Sequence, residues 1–196
     1  MWARPAVRYL KPLASAVVAV AGLAFAVPVS AQTAASVEVQ VSAVIPERCG
    51  FSPAVQAAGP GADLEQAQTL NFTLPLDCNT PFAVGVSGAH GGLVNLTSAP
   101  DRSGYAFEKI YGVRLTLRTS EGEVRSERCL STDITIGGSC AFASDQPGRG
   151  LGSGSGVAAP GDVTLTIDWP DQSTLNRRLA AGDYSDTITL VVGARA

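Results

Sequence analysis

The chain has 196 residues, with 14 basic and 17 acidic side chains and a formal net charge of −3. Its length suits a single domain with a sizeable core. Its mild acidity argues against a protein that binds nucleic acid or an anionic membrane surface.

Residues 1–31 have the organisation of a secretory signal peptide. Arg4, Arg8 and Lys11 precede an apolar, uncharged run over residues 12–27, and small residues then stand before a cleavage site after Ala31. An uncleaved membrane anchor is the alternative, but the run is short for a spanning helix, which needs about 20 residues. The sequence therefore predicts an exported protein, and loss of the leader makes it more acidic.

The mature chain is predicted to begin with a strand that has no obvious partner. In the segment SVEVQVSAVI, the side chains of Val37, Val39, Val41 and Ala43 alternate with polar ones, which is typical of a half-buried strand. Such a strand pairs either within its own sheet or with the sheet of a neighbouring molecule. We interpret residues 32–48 as this extension and the start of the first strand, and 49–196 as the domain body.

Four cysteines follow the leader, and an even number in an exported chain indicates two disulfides. Three pairings are possible, of which we favour Cys49–Cys78 and Cys129–Cys140, the nearest in sequence. A zinc site is disfavoured because there is no CxxC pair and the single histidine, His90, is not spaced like a ligand. No metal or cofactor is expected.

The rest of the chain reads as β-structure. Short runs with alternating apolar side chains, enriched in β-branched and aromatic residues, predict strands over 70–76, 82–86, 113–117, 163–169 and 184–192. Glycine-rich turns separate the runs. The turn at residues 88–92 is predicted to be a hairpin loop. Residues 62–68 are compatible with one or two helical turns. The pattern predicts an antiparallel sandwich or barrel.

The last predicted strand, DYSDTITLVV, lies close to the C-terminus. Tyr184, Ile188, Leu190 and Val192 share one phase of its alternation, and Asp186 is the exception. If this is the penultimate strand of an immunoglobulin-type sandwich, the final strand is missing and an unpaired edge results. A surplus strand at one end would then complement a missing strand at the other.

The chain resembles the spore coat protein U family, the pilin-like subunits of archaic chaperone–usher, Csu-type fimbriae. Four pieces in order carry the resemblance: SVEVQVSAVIPERCGF, LNFTLPLDCNTPFAVGVSGAHGG, LGSGSGVAAPGDVTLTIDW and LAAGDYSDTITLVV. The middle strand, often tyrosine-rich in the family, reads GVRLTLRT here, and the tryptophan–glycine pair that often follows is absent. The Cys129/Cys140 pair is therefore not carried over from the family.

The resemblance implies an all-β fold, an incomplete immunoglobulin-like β-sandwich completed by a donated strand. A periplasmic chaperone lends a strand during folding, and an outer-membrane usher exchanges it for the extension of the next subunit. The implied donor side chains are Val37, Val39, Val41 and Ala43. Ile188, Leu190 and Val192 line part of the implied acceptor groove. The expected partners are neighbouring pilus subunits, chaperone and usher, in the periplasm and then in a cell-surface fimbria.

Two other classes of function are weighed against this one. A self-contained secreted coat or binding domain would pair SVEVQVSAVI in its own sheet. An enzyme is disfavoured because His90 lies in a glycine-rich loop without a nucleophile signature. Asp168 and Asp171 form a carboxylate pair of the kind used in glycoside hydrolysis, but a solvated turn is the simpler interpretation.

Overall fold

The computed structural model describes residues 38–51, 63–101 and 104–195. The chain divides into two compact units, Met1–Ala43 and Val44–Ala196. In the second unit the described strands are β1 (Cys49–Phe51), β2 (Gln68–Cys78), β3 (Phe82–Gly88), β4 (Leu93–Asn95), β5 (Glu108–Lys109), β6 (Gly112–Thr119), β7 (Gly122–Arg125), β8 (Cys129–Leu130), β9 (Leu151–Gly152), β10 (Ala158–Trp169), β11 (Tyr184–Ser185) and β12 (Ile188–Ala194). Short 3₁₀ turns span Ser131–Ile134 and Gln172–Thr174. The protein is all-β with antiparallel sheets, as the alternation predicted.

The largest sheet has the order β1-β2-β10-β6-β7, and β8 also pairs with β6. Its three long central strands are in register, so that apolar residues face one another across the ladder. The rows are Leu74–Val163–Leu117, Phe72–Leu165–Leu115 and Leu70–Ile167–Val113. Because side chains alternate between the faces of a strand, all three rows point to the same side. The predicted alternation thus builds one apolar face.

A smaller sheet with the order β12-β3-β9 supplies the facing side chains. Phe82, Val84 and Val86 of β3 are fully buried and join the residues of β2, β6 and β10 in one core. Phe142 and Ile134, from the segment between β8 and β9, complete this core. A third sheet has the order β11-β4-β5, and its strand β4 follows β3 in the chain.

Three details of the sequence-based prediction are wrong. Residues 88–92 do not form a hairpin, because β3 and β4, which they connect, belong to different sheets. Among residues 62–68, the described residues begin with a turn and enter β2, without a helix. The C-terminal stretch is two strands rather than one, since the ladder is interrupted between β11 and β12 at Asp186 and Thr187.

Both predicted disulfides, Cys49–Cys78 and Cys129–Cys140, are present. The first joins residues that are direct partners in the ladder between β1 and β2, so it fixes the first strand to the largest sheet. The second closes the loop that contains the 3₁₀ turn Ser131–Ile134. Two disulfides indicate folding in an oxidising compartment.

Candidate functional site

The outer edge of β12 is unpaired among the described residues, since β12 bonds only to β3. The register pairs Ile188 with Gly88 and continues to Ala194. Just outside it, the Ala89 N–H donates to the Thr187 carbonyl at 2.9 Å and the Arg195 N–H donates to the Pro81 carbonyl at 2.8 Å. In an antiparallel ladder, every second residue exchanges backbone hydrogen bonds with the partner strand. The odd-numbered residues of β12 therefore bond to β3. The N–H and C=O groups of Ile188, Leu190 and Val192 therefore face the open edge.

The same three residues point their side chains at the core. Ile188, Leu190 and Val192 are half-buried and pack against the core cluster, whereas Thr189 between them is exposed. The predicted acceptor residues thus combine two properties, a free backbone edge and an incompletely covered apolar side chain. An added antiparallel strand that bonded to these residues would place every second side chain over the core.

The first strand of the largest sheet lies against β12. β1 is in contact with β12 although the two share no ladder. Phe51 and Cys49 of β1 are half-buried and pack against the same core cluster. The Cys49–Cys78 disulfide fixes β1 to β2, so β12 has a covalently fixed neighbour.

Asp186 fixes the beginning of β12 and was missed as a structural residue by the sequence analysis. Its side chain is only 2% exposed. One carboxylate oxygen accepts a 2.7 Å hydrogen bond from the Tyr111 hydroxyl. The other accepts from the backbone N–H groups of His90 and Thr187, at 3.1 and 2.7 Å, and lies 3.2 Å from His90 Nδ1. In the sequence, Asp186 shares the alternation of the inward-facing Ile188 and Leu190, and this position indicated that its side chain is buried.

The Asp186 carboxylate also affects the ionisation of Tyr111. Burial of the phenol, and then its hydrogen bond and charge interaction with Asp186, raise the pKa of Tyr111 well above 10.0. The tyrosine therefore stays neutral and remains a hydrogen-bond donor. Tyr111 immediately precedes β6, so this bond ties the largest sheet to the start of β12.

The predicted donor segment carries no strand in its described part. Val39 and Val41 are 76% and 87% exposed, and Ala43 is exposed as well. Val37 lies outside the described residues. In the second unit, Val44 and Ile45 are also 90% and 81% exposed. The first strand begins only at Cys49, so the prediction of a strand over 36–45 is not met within residues 38–45, where no ladder partner is present.

The carboxylates considered for enzyme chemistry have structural partners. Asp168 accepts hydrogen bonds from the Arg128 guanidinium at 2.7 to 3.1 Å. Asp171 caps the second 3₁₀ turn by accepting from the backbone N–H of Ser173 at 2.8 Å and from its hydroxyl. The bonds from Ser173 lower the pKa of Asp171. A general acid needs a raised pKa, which is the opposite of the shift at Asp171.

Lys109 is a buried cation with neutral partners. Its Nζ donates to the Pro170 carbonyl at 2.9 Å and to Gln172 Oε1 at 2.6 Å. Burial lowers the pKa of Lys109, while the charges of Asp171 and Glu65 act in the opposite direction. The side chain joins β5 to the loop after β10.

No protein-family model, curated protein or solved structure matches the chain. No helix among the described residues is long and apolar enough to cross a bilayer. In the same part of the chain, no group of three or more histidine, cysteine or acidic side chains has an arrangement suited to a metal ion.

Proposed function

We propose that the protein is a structural subunit of a surface fimbria, assembled by donor-strand exchange. The observation that carries the proposal is the open edge of β12, where free backbone groups and uncovered core side chains belong to the same residues. An exposed apolar edge invites pairing with another chain unless it is covered. On this proposal the domain is an immunoglobulin-like sandwich whose last strand comes from a neighbouring molecule.

The segment before Cys49 has the chemistry of the missing strand. Its apolar side chains recur at every second residue, as do the core-facing positions of β12. In an antiparallel arrangement Val39 lies opposite Val192 and Val41 opposite Leu190, so that apolar side chains meet across the ladder. Ala43 then lies opposite Ile188, and the polar residues between them face solvent.

The energetics of strand donation set a minimum for the donor segment. Burial of an exposed valine contributes roughly 1.5–3 kcal/mol, and new backbone hydrogen bonds add to this. Ordering the extended segment costs roughly 1–2 kcal/mol for each residue fixed. Several buried valines together with a full ladder are therefore needed, and a single apolar anchor would not suffice.

The assembly is an open one. A donor segment on one subunit and an acceptor edge on the next are different surfaces, and such head-to-tail contacts build filaments unless the rotation closes a ring. Before assembly the open edge needs temporary cover. The resemblance supplies candidates for this step, a periplasmic chaperone that lends a strand and an outer-membrane usher that exchanges it.

Deletion of residues 32–44 tests the proposal. The truncated protein keeps the edge of β12 and loses the donor, so it should still bind a chaperone in the periplasm but form no polymer. Co-purification with the chaperone and electron microscopy of surface fibres are the two measurements. Assembly of the truncated protein at the level of the full chain would exclude the donor role.

One observation favours a second candidate, a self-contained secreted coat or binding domain. Val84, Val86, Val113 and Leu115 are fully buried, and the described members of their core cluster all lie between Cys49 and Val192. On this alternative the truncated protein would be a stable monomer without any chaperone, and the open edge would be a tolerated feature.

A further inference from the structure

A cavity of about 480 Å³ lies against the outward-facing side of β3. Ala83 and Ser87 contribute to its lining, and they alternate along the strand with Val84 and Val86, which face the core. The cavity is therefore on the face of the β12-β3-β9 sheet opposite the core. Its volume is within the range of small-molecule sites, about 300–1,000 Å³.

The first wall of the cavity is the loop between Ser144 and Leu151. Before the loop, Val86 and Ser144 are joined by a backbone hydrogen bond of 3.0 Å, and after it Leu151 pairs with Val84. Gly150 has a φ of 107°, and a Cβ there would lie 2.2 Å from the Val84 carbonyl oxygen. The loop is thus in backbone contact with the sheet at both ends.

The second wall is the loop closed by the Cys129–Cys140 disulfide. Thr135, Ile136 and Gly137 of this loop line the cavity. Ile136 lies at the tip of the loop and is 82% exposed, and exposure of a large aliphatic side chain to water is unfavourable. The Gly138 N–H donates to the Thr135 carbonyl at 2.8 Å and fixes the turn. A covalently closed loop therefore presents an apolar surface to the cavity.

Two exposed arginines, Arg149 and Arg195, line the same space. Within the described residues neither forms a salt bridge, whereas five other arginines do: Arg48, Arg118, Arg125, Arg128 and Arg178. Arg195 lies close to the sheet, since a Cβ at Gly152 would be 2.3 Å from its guanidinium. A guanidinium binds carboxylates through two parallel N–H donors.

The remaining polar groups suit hydroxyl groups of a ligand. Ser87 makes no side-chain hydrogen bond with a described residue. Ser144, Gln146 and Asp145 also line the cavity, and they supply acceptors for hydroxyl donors. Asp145 opposes the binding of a bare anion. A ligand with both a carboxylate and several hydroxyls satisfies the arginines and the acceptors together.

We propose that this cavity binds a carboxylate-bearing saccharide, with Arg149 and Arg195 on the carboxylate, the hydroxyl and amide groups on the ring hydroxyls, and Ile136 against the ring. The inference does not depend on the proposed role in fimbriae, because the cavity is formed without the open edge of β12.

The test is calorimetric titration of the full exported chain, in its native assembly state, with glucuronate. Methyl glucoside, acetate and inorganic phosphate serve as separate probes. Glucuronate should bind saturably in the millimolar range or tighter, and Arg149→Gln or Arg195→Gln should weaken it about tenfold or more. Arg177→Gln is the matched control, since Arg177 is exposed and lies outside the cavity, and it should leave the affinity unchanged.

Three results would overturn the proposal. The first is no saturable binding of glucuronate. The second is binding that Arg149→Gln and Arg195→Gln leave unchanged. The third is binding of acetate or phosphate as tight as that of glucuronate, which would reduce the cavity to a general anion site without recognition of the ring.

Discussion

At the scale of single residues, Asp186 is the best-connected polar side chain near the open edge. Its carboxylate bonds to the Tyr111 hydroxyl and to two backbone N–H groups, and it is almost fully buried. Removal of a buried acceptor leaves its donors unsatisfied, which costs more than the bond itself contributes. Asp186 thus determines where β12 begins and holds that point against the largest sheet.

Replacement of Asp186 by alanine should lower the free energy of unfolding by about 2–5 kcal/mol, because three donors lose a charged acceptor. Urea denaturation measures the change. Asp183→Ala is the matched control, since its side chain is exposed, and it should change the stability by less than about 0.5 kcal/mol. Equal effects of the two substitutions would contradict the role of Asp186.

The raised pKa of Tyr111 predicts that the free energy of unfolding falls at alkaline pH. The pKa is raised in the folded state, so above about pH 10 the phenol ionises in the unfolded chain and stays protonated in the folded one. The unfolded state then binds fewer protons, and the free energy of unfolding falls as the pH rises through 10. Denaturation measured between pH 8 and about 11 should show this slope, and Tyr111→Phe should reduce it. An unchanged slope in the variant would assign the effect to other groups.

At the scale of structural elements, β12 provides the open edge, and the two disulfides hold the first strand and one loop of the cavity. The Cys49–Cys78 disulfide spans 29 residues and the Cys129–Cys140 disulfide spans 11. In the chain-entropy model the longer loop gives the larger stabilisation. The first bridge also holds β1 against β12, whereas the second closes a loop over the outer face of β3.

Replacement of each cysteine pair by serine should therefore have different consequences. Loss of the Cys49–Cys78 bridge should cost about 2–4 kcal/mol and more than loss of the other bridge. Thermal denaturation of the two double variants gives the order. Loss of the Cys129–Cys140 bridge should instead weaken glucuronate binding. The reverse order of stabilities would show that the second bridge supports the core.

The proposed strand register predicts a specific cross-link between subunits. With Val41 opposite Leu190, Ser42 lies opposite Thr189 in a pair that is not hydrogen-bonded, where Cα atoms are about 4.5 Å apart. That distance permits a disulfide. The variant Ser42→Cys/Thr189→Cys should give a covalent ladder on non-reducing gels of fibres. Gln40→Cys/Thr189→Cys, shifted by two residues, should not, and a ladder from it alone would show a different register.

At the scale of the whole molecule, the long strands and both disulfides could be predicted from the sequence. Alternation over residues 70–76, 113–117 and 163–169 is strong because those strands bury one face along their whole length. The segment between β8 and β9 was not predictable in the same way. Its short pairings with β3 and its turns depend on Gly150 and on backbone contacts with residues distant in the sequence, and they leave no periodic signal.

The unpaired segment before Cys49 illustrates the limit of the alternation pattern. Val39 and Val41 have the periodicity of a strand, yet they are exposed and outside any ladder in the described structure. A strand needs a partner to satisfy its backbone groups. The pattern therefore predicts a capacity to pair, and the identity of the partner has to come from experiment.

The double variant Val39→Asp/Val41→Asp tests the donation of this strand most directly, with Gln40→Asp/Ser42→Asp as the control that places two carboxylates on the opposite face. Both variants should fold and reach the chaperone in normal amounts, because residues 39–42 are exposed in the subunit. Only the valine variant should abolish fibres, since two unpaired carboxylates would have to enter an apolar groove. The measurement is the yield of surface fibres relative to the periplasmic chaperone complex. Normal fibres from the valine variant, or equal loss of fibres from both variants, would contradict donor-strand exchange through this face.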